Sequence, residues 1–424
     1  MTKITLIGAG SNFTPGLLRD VMNSSSLSGV ELCLMDLNAH ILDLNRAVCE
    51  RMIEAAGSDV ELSSTTDRRE AIESSDYVIT SILVGGPEFC RPDVDIPLKY
   101  GIAQTIGDTV GPGGIIKALR TIPPILAIAK DMEDSCPDAW LFNLTNPITY
   151  LTIAVREATR IRTMALCHGV QVTVDALSRF MGKQIDAFRV LGVNHCSWLL
   201  QLMSSGIDIY PEFRRRLAED DIPGWPISSL LTRRFRYFPT HTDRHVCEFF
   251  PYFLRKETGY GSKYGQELWD TDVWVSSKDE RTAMLSSLAS GKAPLGDLTR
   301  PSGGDIIPVI EAMVEDSGRE FVVNQPNAGY APNLPDEAVV EMNAIVDSKG
   351  INPAGICKAP RSLLGIIQYR INLQELVVRS ILENDKDLAL QALILDPLTR
   401  SIEDVEKMFD ELLAVNRDYL PDFS

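Results

Sequence analysis

Positive charge is scarce in this chain: 41 Lys and Arg stand against 58 Asp and Glu, a formal net charge of -17 over 424 residues. A surface of that sign repels a phosphate backbone, so nucleic acid is excluded as a partner. Long apolar runs are missing too. No stretch approaches the roughly 18 apolar residues of a membrane-spanning helix, so no membrane partner is expected. The opening residues, Met1 to Gly8, are apolar for only a few positions, short of the roughly 7 to 15 of a secretory leader. The eight cysteines include no CxxC pair. Scattered thiols in a chain long enough to build its own core read as reduced cysteines in a cytoplasmic protein. Neither a repeat nor a low-complexity linker is present, and an apolar content of 45% excludes general disorder.

What is present is most legible at the start. Ile4-Thr5-Leu6-Ile7 is a β-rich run, Gly8-Ala9-Gly10-Ser11 a turn, Pro15 to Met22 a helix start, and Val30 to Met35 a second apolar run ending in Asp36. Strand, glycine turn, helix, strand, acid is the order of a dinucleotide-binding βαβ unit. Gly8 can take the tight turn. Gly10 lets the backbone approach a pyrophosphate at a helix N-terminus. The third glycine position holds Phe13, so the fingerprint is incomplete, and a glycine turn of some other α/β protein is the competing reading. Asp36 either accepts hydrogen bonds from ribose hydroxyls, favouring NAD over NADP, or caps the following helix. Further strands are expected at Tyr77–Ile82, Ala139–Leu144, Arg162–Cys167 and Phe188–Val193. The alternation predicts an α/β fold: a Rossmann-like doubly wound parallel sheet over residues 1–195, fused to a mixed α+β, mainly helical domain over 196–424. Long amphipathic helices are expected from Leu363 onward.

Of five histidines, two follow predicted strands, in Cys167-His168-Gly169 and in Asn194-His195. The carboxyl ends of such strands are the ligand side of an open α/β sheet. Cys167 and His195 therefore read either as a divalent-metal pair or as an ordinary buried thiol and imidazole. Two loops are rich in hydrogen-bonding groups: Asn143-Leu144-Thr145-Asn146-Pro147, and Gly107-Asp108-Thr109-Val110-Gly111-Pro112-Gly113-Gly114, which leads to Lys117 and Arg120. Ligand binding and simple helix capping are both open for each.

Taken together, Gly8-Ala9-Gly10-Ser11, Gly111 to Gly114 with Ala118 to Pro123, Asn146-Pro147, Cys167-His168-Gly169, Gly192-Val193-Asn194-His195 and Asn324-Gln325-Pro326-Asn327-Ala328-Gly329 resemble glycoside hydrolase family 4. These are the NAD- and metal-dependent glycosidases that stand outside the two-carboxylate scheme. The resemblance implies hydride removal from carbon 3 of the sugar, loss of the acidified proton on carbon 2, elimination of the glycosidic oxygen, water addition and return of the hydride. It implies NAD held by Gly8, Gly10, Ser11, Asn12, Phe13, Asp36 and Asn143, and Mn²⁺ or a similar ion on Cys167 and His195. It places Asn146, Asp108, His168 and Arg244 against the sugar. His168 is a candidate for assisting the leaving group. The base is an Asp or Tyr of the second domain: Asp243, kept ionised by Arg244, with Tyr237 in reserve, against a plain surface ion pair. The run Gln104 to Val110 departs from the family's Gln-Glu-Thr pattern, and Asp108 is the replacement acid.

The Cys-His-Gly triplet is similar to that of family members acting on unphosphorylated α-glucosides and α-glucuronides. Arg233-Arg234-Phe235-Arg236 and Arg244-His245 suit either an anionic group on carbon 6 or a solvated basic face. The expected substrate is an α-hexoside or α-hexuronide. The alternatives are a 6-anionic hexoside, an NAD-dependent dehydrogenase of the malate or lactate type, and a nucleotide-sensing protein without turnover. The family implies a homodimer or homotetramer.

Overall fold

A computed structural model describes residues 1–423. Six parallel strands open the chain: β1 (Lys3–Ile7), β2 (Glu31–Met35), β3 (Glu61–Thr65), β4 (Tyr77–Thr80), β5 (Trp140–Asn143) and β6 (Arg162–Ala165). They lie in the order β3-β2-β1-β4-β5-β6, which is the Rossmann order with its crevice between β1 and β4. The central strands are short apolar runs because helices cover both faces. At the edge, β3 is Glu-Leu-Ser-Ser-Thr and half exposed, and this polar composition hides it from a hydrophobicity reading.

The parallel portion ends at Ala165 rather than near residue 195. Beyond β6 the sheet continues without a break as antiparallel strands: β7 (Ala187–Val193), β8 (Cys196–Ser204), β9 (Ile207–Asp208), β10 (Phe238–Pro239), β11 (Arg319–Pro326), β12 (Val339–Asp347) and β13 (Gly350–Pro353). The order away from β6 is β11-β12-β7-β8-β10. Asn324 pairs with Ala165, and Glu341 with Gly192. Residues 194 and 195 are the two-residue turn of the β7–β8 hairpin, since Val193 pairs with Cys196. The expected division at 195/196 thus falls inside a hairpin.

One large apolar core fills both faces of the sheet. A smaller one, with Val174, Leu177, Leu199, Phe213 and Phe238, lies beneath the helices Gly169–Met181 and Tyr210–Glu219. The segment 205–305, which shows little periodicity, nevertheless holds the helices Tyr210–Glu219, Pro226–Phe235 and Thr271–Ala289. The expected C-terminal helices are Arg361–Leu382, Lys386–Leu395 and Ile402–Asn416. Among the described residues no helix is long and apolar enough to cross a membrane.

Candidate active site

The turn after β1 opens on a cleft of about 1270 Å³. Gly8, Gly10, Ser11, Asn12 and Asp36 line one end, and Asp108 and Lys117 the other. Gly8 has a φ of 91°, and a side chain there would strike the Ser81 carbonyl. At Gly10 a Cβ would lie 2.7 Å from Asp36 Oδ2. That oxygen accepts the Gly10 N–H at 2.7 Å, while Oδ1 accepts the Asn38 N–H at 2.9 Å. Asp36 thereby ties the glycine turn to the end of β2, and each oxygen keeps lone-pair capacity for a further donor. Helix Thr14–Met22 begins here with Pro15 in its first turn and no side-chain cap. Thr14 N donates to the Ser11 carbonyl, Leu17 N to the Phe13 carbonyl and Pro15 has no N–H, so the first turn offers an anion the Gly16 amide alone.

Two residues expected at this cofactor lie elsewhere. Phe13 lines a second cavity of about 700 Å³. Asn143 is buried with its amide consumed internally: Oδ1 accepts from Thr80 Oγ1 and Thr145 N, and Nδ2 donates to the Thr145 carbonyl. So buried, it shapes the loop after β5.

The glycine-rich loop folds back on the helix Gly111–Ser135 that it starts. Gln104 closes it, donating to the Val110 carbonyl and accepting from Gly113 N. A Cβ at Gly114 would collide with the backbone of Thr109, so the glycine content follows from this close approach. Behind the loop sits Glu248, absent from the sequence reading. Its Oε1 accepts the N–H groups of Thr105, Ile106 and Gly107 at 2.7, 2.8 and 3.0 Å. Burial nevertheless pushes its carboxyl up to about 7.

This loop carries Asp108 towards three of the five histidines, His195, His241 and His245. Cys167 Sγ lies 3.6 Å from His195 Nε2 and 3.6 Å from His241 Nε2. The three ligand atoms fall within 4.8 Å of one another. A second triplet, Asp108, His195 and His245, meets the same limit. Asp108 Oδ1 is 3.8 Å from the Nδ1 atoms of both His195 and His245, and Thr109 Oγ1 is 2.8 Å from His195 Nδ1. Burial holds His195 and His241 well below the ordinary histidine value, so they present neutral rings, the form that ligates metal. Burial, helped by nearby Glu341, pushes the Cys167 thiol up to about 12. For Asp108 burial acts upward, but His245 and Lys117 outweigh it and the carboxyl sits below its usual value. Asn146 Nδ2 donates to Asp108 Oδ2 at 3.0 Å, and its Oδ1 is buried with no partner among the described residues.

The expected pair Cys167 and His195 is thus brought together, with Asp108 and Asn146 beside it. His241 and His245 were missed as possible ligands, although two of five histidines four residues apart was a readable signal. His168 is exposed at the start of helix Gly169–Met181 and opens on the second cavity with Asn12, not onto the thiol. Arg244 donates to the Thr105 carbonyl and stacks over Trp269.

Asp243 corrects an expectation. It is buried, it makes no ion pair with Arg244 among the described residues, and it accepts from Ile227 N, Ser228 N and Ser228 Oγ at 2.6, 2.9 and 2.5 Å. Burial raises its carboxyl above the usual range despite these donors. An acid locked onto the first turn of helix Pro226–Phe235 cannot reach a sugar proton. Tyr237, the reserve, packs edge-on to Tyr210 beside the smaller core, and no described contact joins it to Cys167. The run Arg233 to Arg236 also stays outside the site, with Arg233 paired to Asp221.

Comparison with known proteins agrees with this geometry. The chain is 35% identical to an α-galactosidase of Bacillus subtilis (strain 168), over all of both chains. It is 30% identical to an α-galacturonidase of Thermoanaerobacterium saccharolyticum, covering 98% of this chain and 96% of the relative. It shares its fold with the crystal structure of a 6-phospho-alpha-glucosidase from gut microorganisms in complex with NAD and Mn²⁺, with a TM-score of 0.86 at 20% identity over all of both chains. The model of the family 4 glycosyl hydrolases matches residues 3–183, and that of their C-terminal domain residues 190–399. With nearly its whole length matched in order, the chain belongs to family 4 of the glycosyl hydrolases.

Proposed function

We propose that this enzyme hydrolyses the O-glycosidic bond of an unphosphorylated α-hexoside or α-hexuronide, using NAD and a divalent ion such as Mn²⁺. The observation that carries the reading is the meeting of Cys167, His195 and His241 within 4.8 Å, beside a cleft that begins at a dinucleotide-type turn. A thiol with two neutral imidazoles suits a divalent transition metal, and the orphaned Asn146 Oδ1 marks the adjacent space as one for a polar ligand. The NAD site fits as well: Gly8, Gly10, Ser11 and Asn12 offer a backbone cradle, and Asp36 would accept ribose hydroxyls and repel a 2'-phosphate. The names of the α-galactosidase and α-galacturonidase relatives support the substrate class.

When bound, NAD supplies a hydride acceptor for carbon 3, and the ion polarises the oxygens on carbons 2 and 3. The chain supplies the rest. Asn146 and Asp108 hold sugar hydroxyls beside the ion, and Arg244, anchored on Thr105 and Trp269, borders the substrate. With Asp243 committed elsewhere, His245 is the group we assign to the proton on carbon 2. It is half-buried behind Asp108, which lines the cleft; burial lowers its pKa below the ordinary value, and Asp108 faces its Nδ1. Neutral Nε2 would accept the proton, and Asp108 would stabilise the imidazolium. His168 opens on the second cavity, so it would assist the leaving group only for an aglycone that reaches into that cavity.

The first half of the chain, residues 1–195, would carry NAD and the sugar contacts of Asn146 and Asp108, and residues 196–424 the contacts of Arg244 and His245 and the subunit contacts. Exposed Ile394, Leu395, Ile402 and Val415 support a homodimer or homotetramer built on the C-terminal helices. The eight free cysteines, Cys167 among them, require a reducing compartment and support a cytoplasmic location.

The test is incubation of the reduced protein with NAD and Mn²⁺ against nitrophenyl α- and β-glycosides, including galactoside, glucoside, glucuronide and galacturonide. Nitrophenol release that needs both additives, without net NADH, and that is lost in Cys167→Ser is the expected result. Stoichiometric NADH without cleavage would establish a dehydrogenase instead.

A further inference from the structure

Near the thiol, and not among the residues that line the cleft, lies a buried carboxylate with no part in the chemistry above. Glu341, on β12, is fully buried. Its Oε1 accepts from Asn194 Nδ2 at 3.1 Å and from Asn324 Nδ2 at 3.2 Å, and its Oε2 from Ser197 Oγ at 2.5 Å. These donors sit in the β7–β8 turn, on β11 and on β8. Each leads to a candidate ligand. Asn194 precedes His195, and its side chain also hydrogen-bonds the Cys167 sulfur. Ser197 Oγ meets Thr240 Oγ1 at 2.6 Å, and the Thr240 N–H donates to the Ser197 carbonyl at 2.8 Å, directly before His241. Asn324 pairs across the sheet with Ala165, two residues before Cys167.

We infer that Glu341 is the positioning residue of the metal centre, one buried acceptor that fixes the backbone approaches to Cys167, His195 and His241 together. The inference rests on the metal reading given above. A buried carboxyl with three donors, from two strands and a hairpin turn, is costly unless all are satisfied, and here the satisfied state exists only when the three ligand-bearing segments are in register. It also accounts for two motifs that the chemistry does not use: the Asn of Gly192-Val193-Asn194-His195 and the Asn that opens Asn324-Gln325-Pro326.

The experiment is titration of the reduced, NAD-loaded protein with Mn²⁺ by calorimetry, and with Co²⁺ while following the sulfur-to-metal charge-transfer absorption. Partners behind metal ligands typically govern roughly 10- to 100-fold in affinity. Glu341→Ala is expected to lose affinity in that range and to weaken the sulfur band at fixed Co²⁺. Glu341→Gln, whose carbonyl oxygen can still accept from Asn194 and Asn324, recovers most of it. Ser197→Ala removes only the side-chain link between Glu341 and the His241 arm, leaving the backbone bond from Thr240 to Ser197, and is expected to lose between about twofold and tenfold on the same scale while keeping the sulfur band. If Glu341→Ala does not fold, Ser197→Ala decides. Wild-type affinity in whichever of these variants folds would overturn the inference. Absence of Mn²⁺ and Co²⁺ binding by the wild-type protein would instead overturn the metal reading itself.

Discussion

Glu248 is the residue whose behaviour can be worked out most fully. Its carboxyl rises from an ordinary value of 4.5 to about 7 through burial, so between those limits the folded chain holds a proton that the unfolded chain has released. The stabilising contribution is fully present below about pH 4.5 and is lost as pH rises towards 7. A shift of that size corresponds to about 3 kcal/mol. Chemical denaturation of wild type and Glu248→Gln at pH 5 and pH 7 is expected to show the wild type losing stability relative to the variant on going to pH 7. An identical difference at both pH values would contradict the assignment. The same position shows why residue-scale reading of the sequence stopped short. Cys167, His195, Asp108 and Asn146 were legible because each follows a strand or a glycine loop. Asp243 and Glu248, five residues apart, look equally suited to chemistry in the sequence, and only their donors separate them: one caps a helix, the other holds a loop.

At the scale of elements, Gly169 is informative. It begins the helix Gly169–Met181, where a glycine gives no helix propensity, and a Cβ there would fall inside the His241 ring. The glycine of the Cys-His-Gly triplet, read from the sequence as a mark of substrate class, makes room for a histidine 72 residues away. Gly169→Ala is therefore expected to displace His241 and weaken Mn²⁺ binding by at least about tenfold, the scale of a lost ligand or its support. Calorimetric titration measures this, and unchanged affinity would show that His241 does not ligate. Strands β1, β2, β4, β5, β6 and β7 were legible as apolar runs of the right length. Edge strand β3 was not, because its exposed face admits Ser and Thr. Nor were β11 and β12, which pair with each other across the connection 327–338, too long to carry the signal of a tight hairpin turn.

Across the whole molecule, the Rossmann half was readable and the continuity of the sheet was not. A composition change near residue 195 suggested a boundary, but β11 and β12 return from the second half to lie between β6 and β7. That insertion brings Asn324 and Glu341 near the thiol. The centre is therefore built from both halves at once, while the cleft leading to it is lined mainly by the first. The central claim, that this arrangement breaks a glycosidic bond by proton removal from carbon 2 and not by displacement at carbon 1, has a direct test. Hydrolysis of the preferred α-glycoside in deuterium oxide, with NAD and Mn²⁺, can be followed by proton NMR of the released sugar. The account predicts deuterium at carbon 2 and no turnover without NAD. Complete cleavage with protium kept at carbon 2 would contradict it.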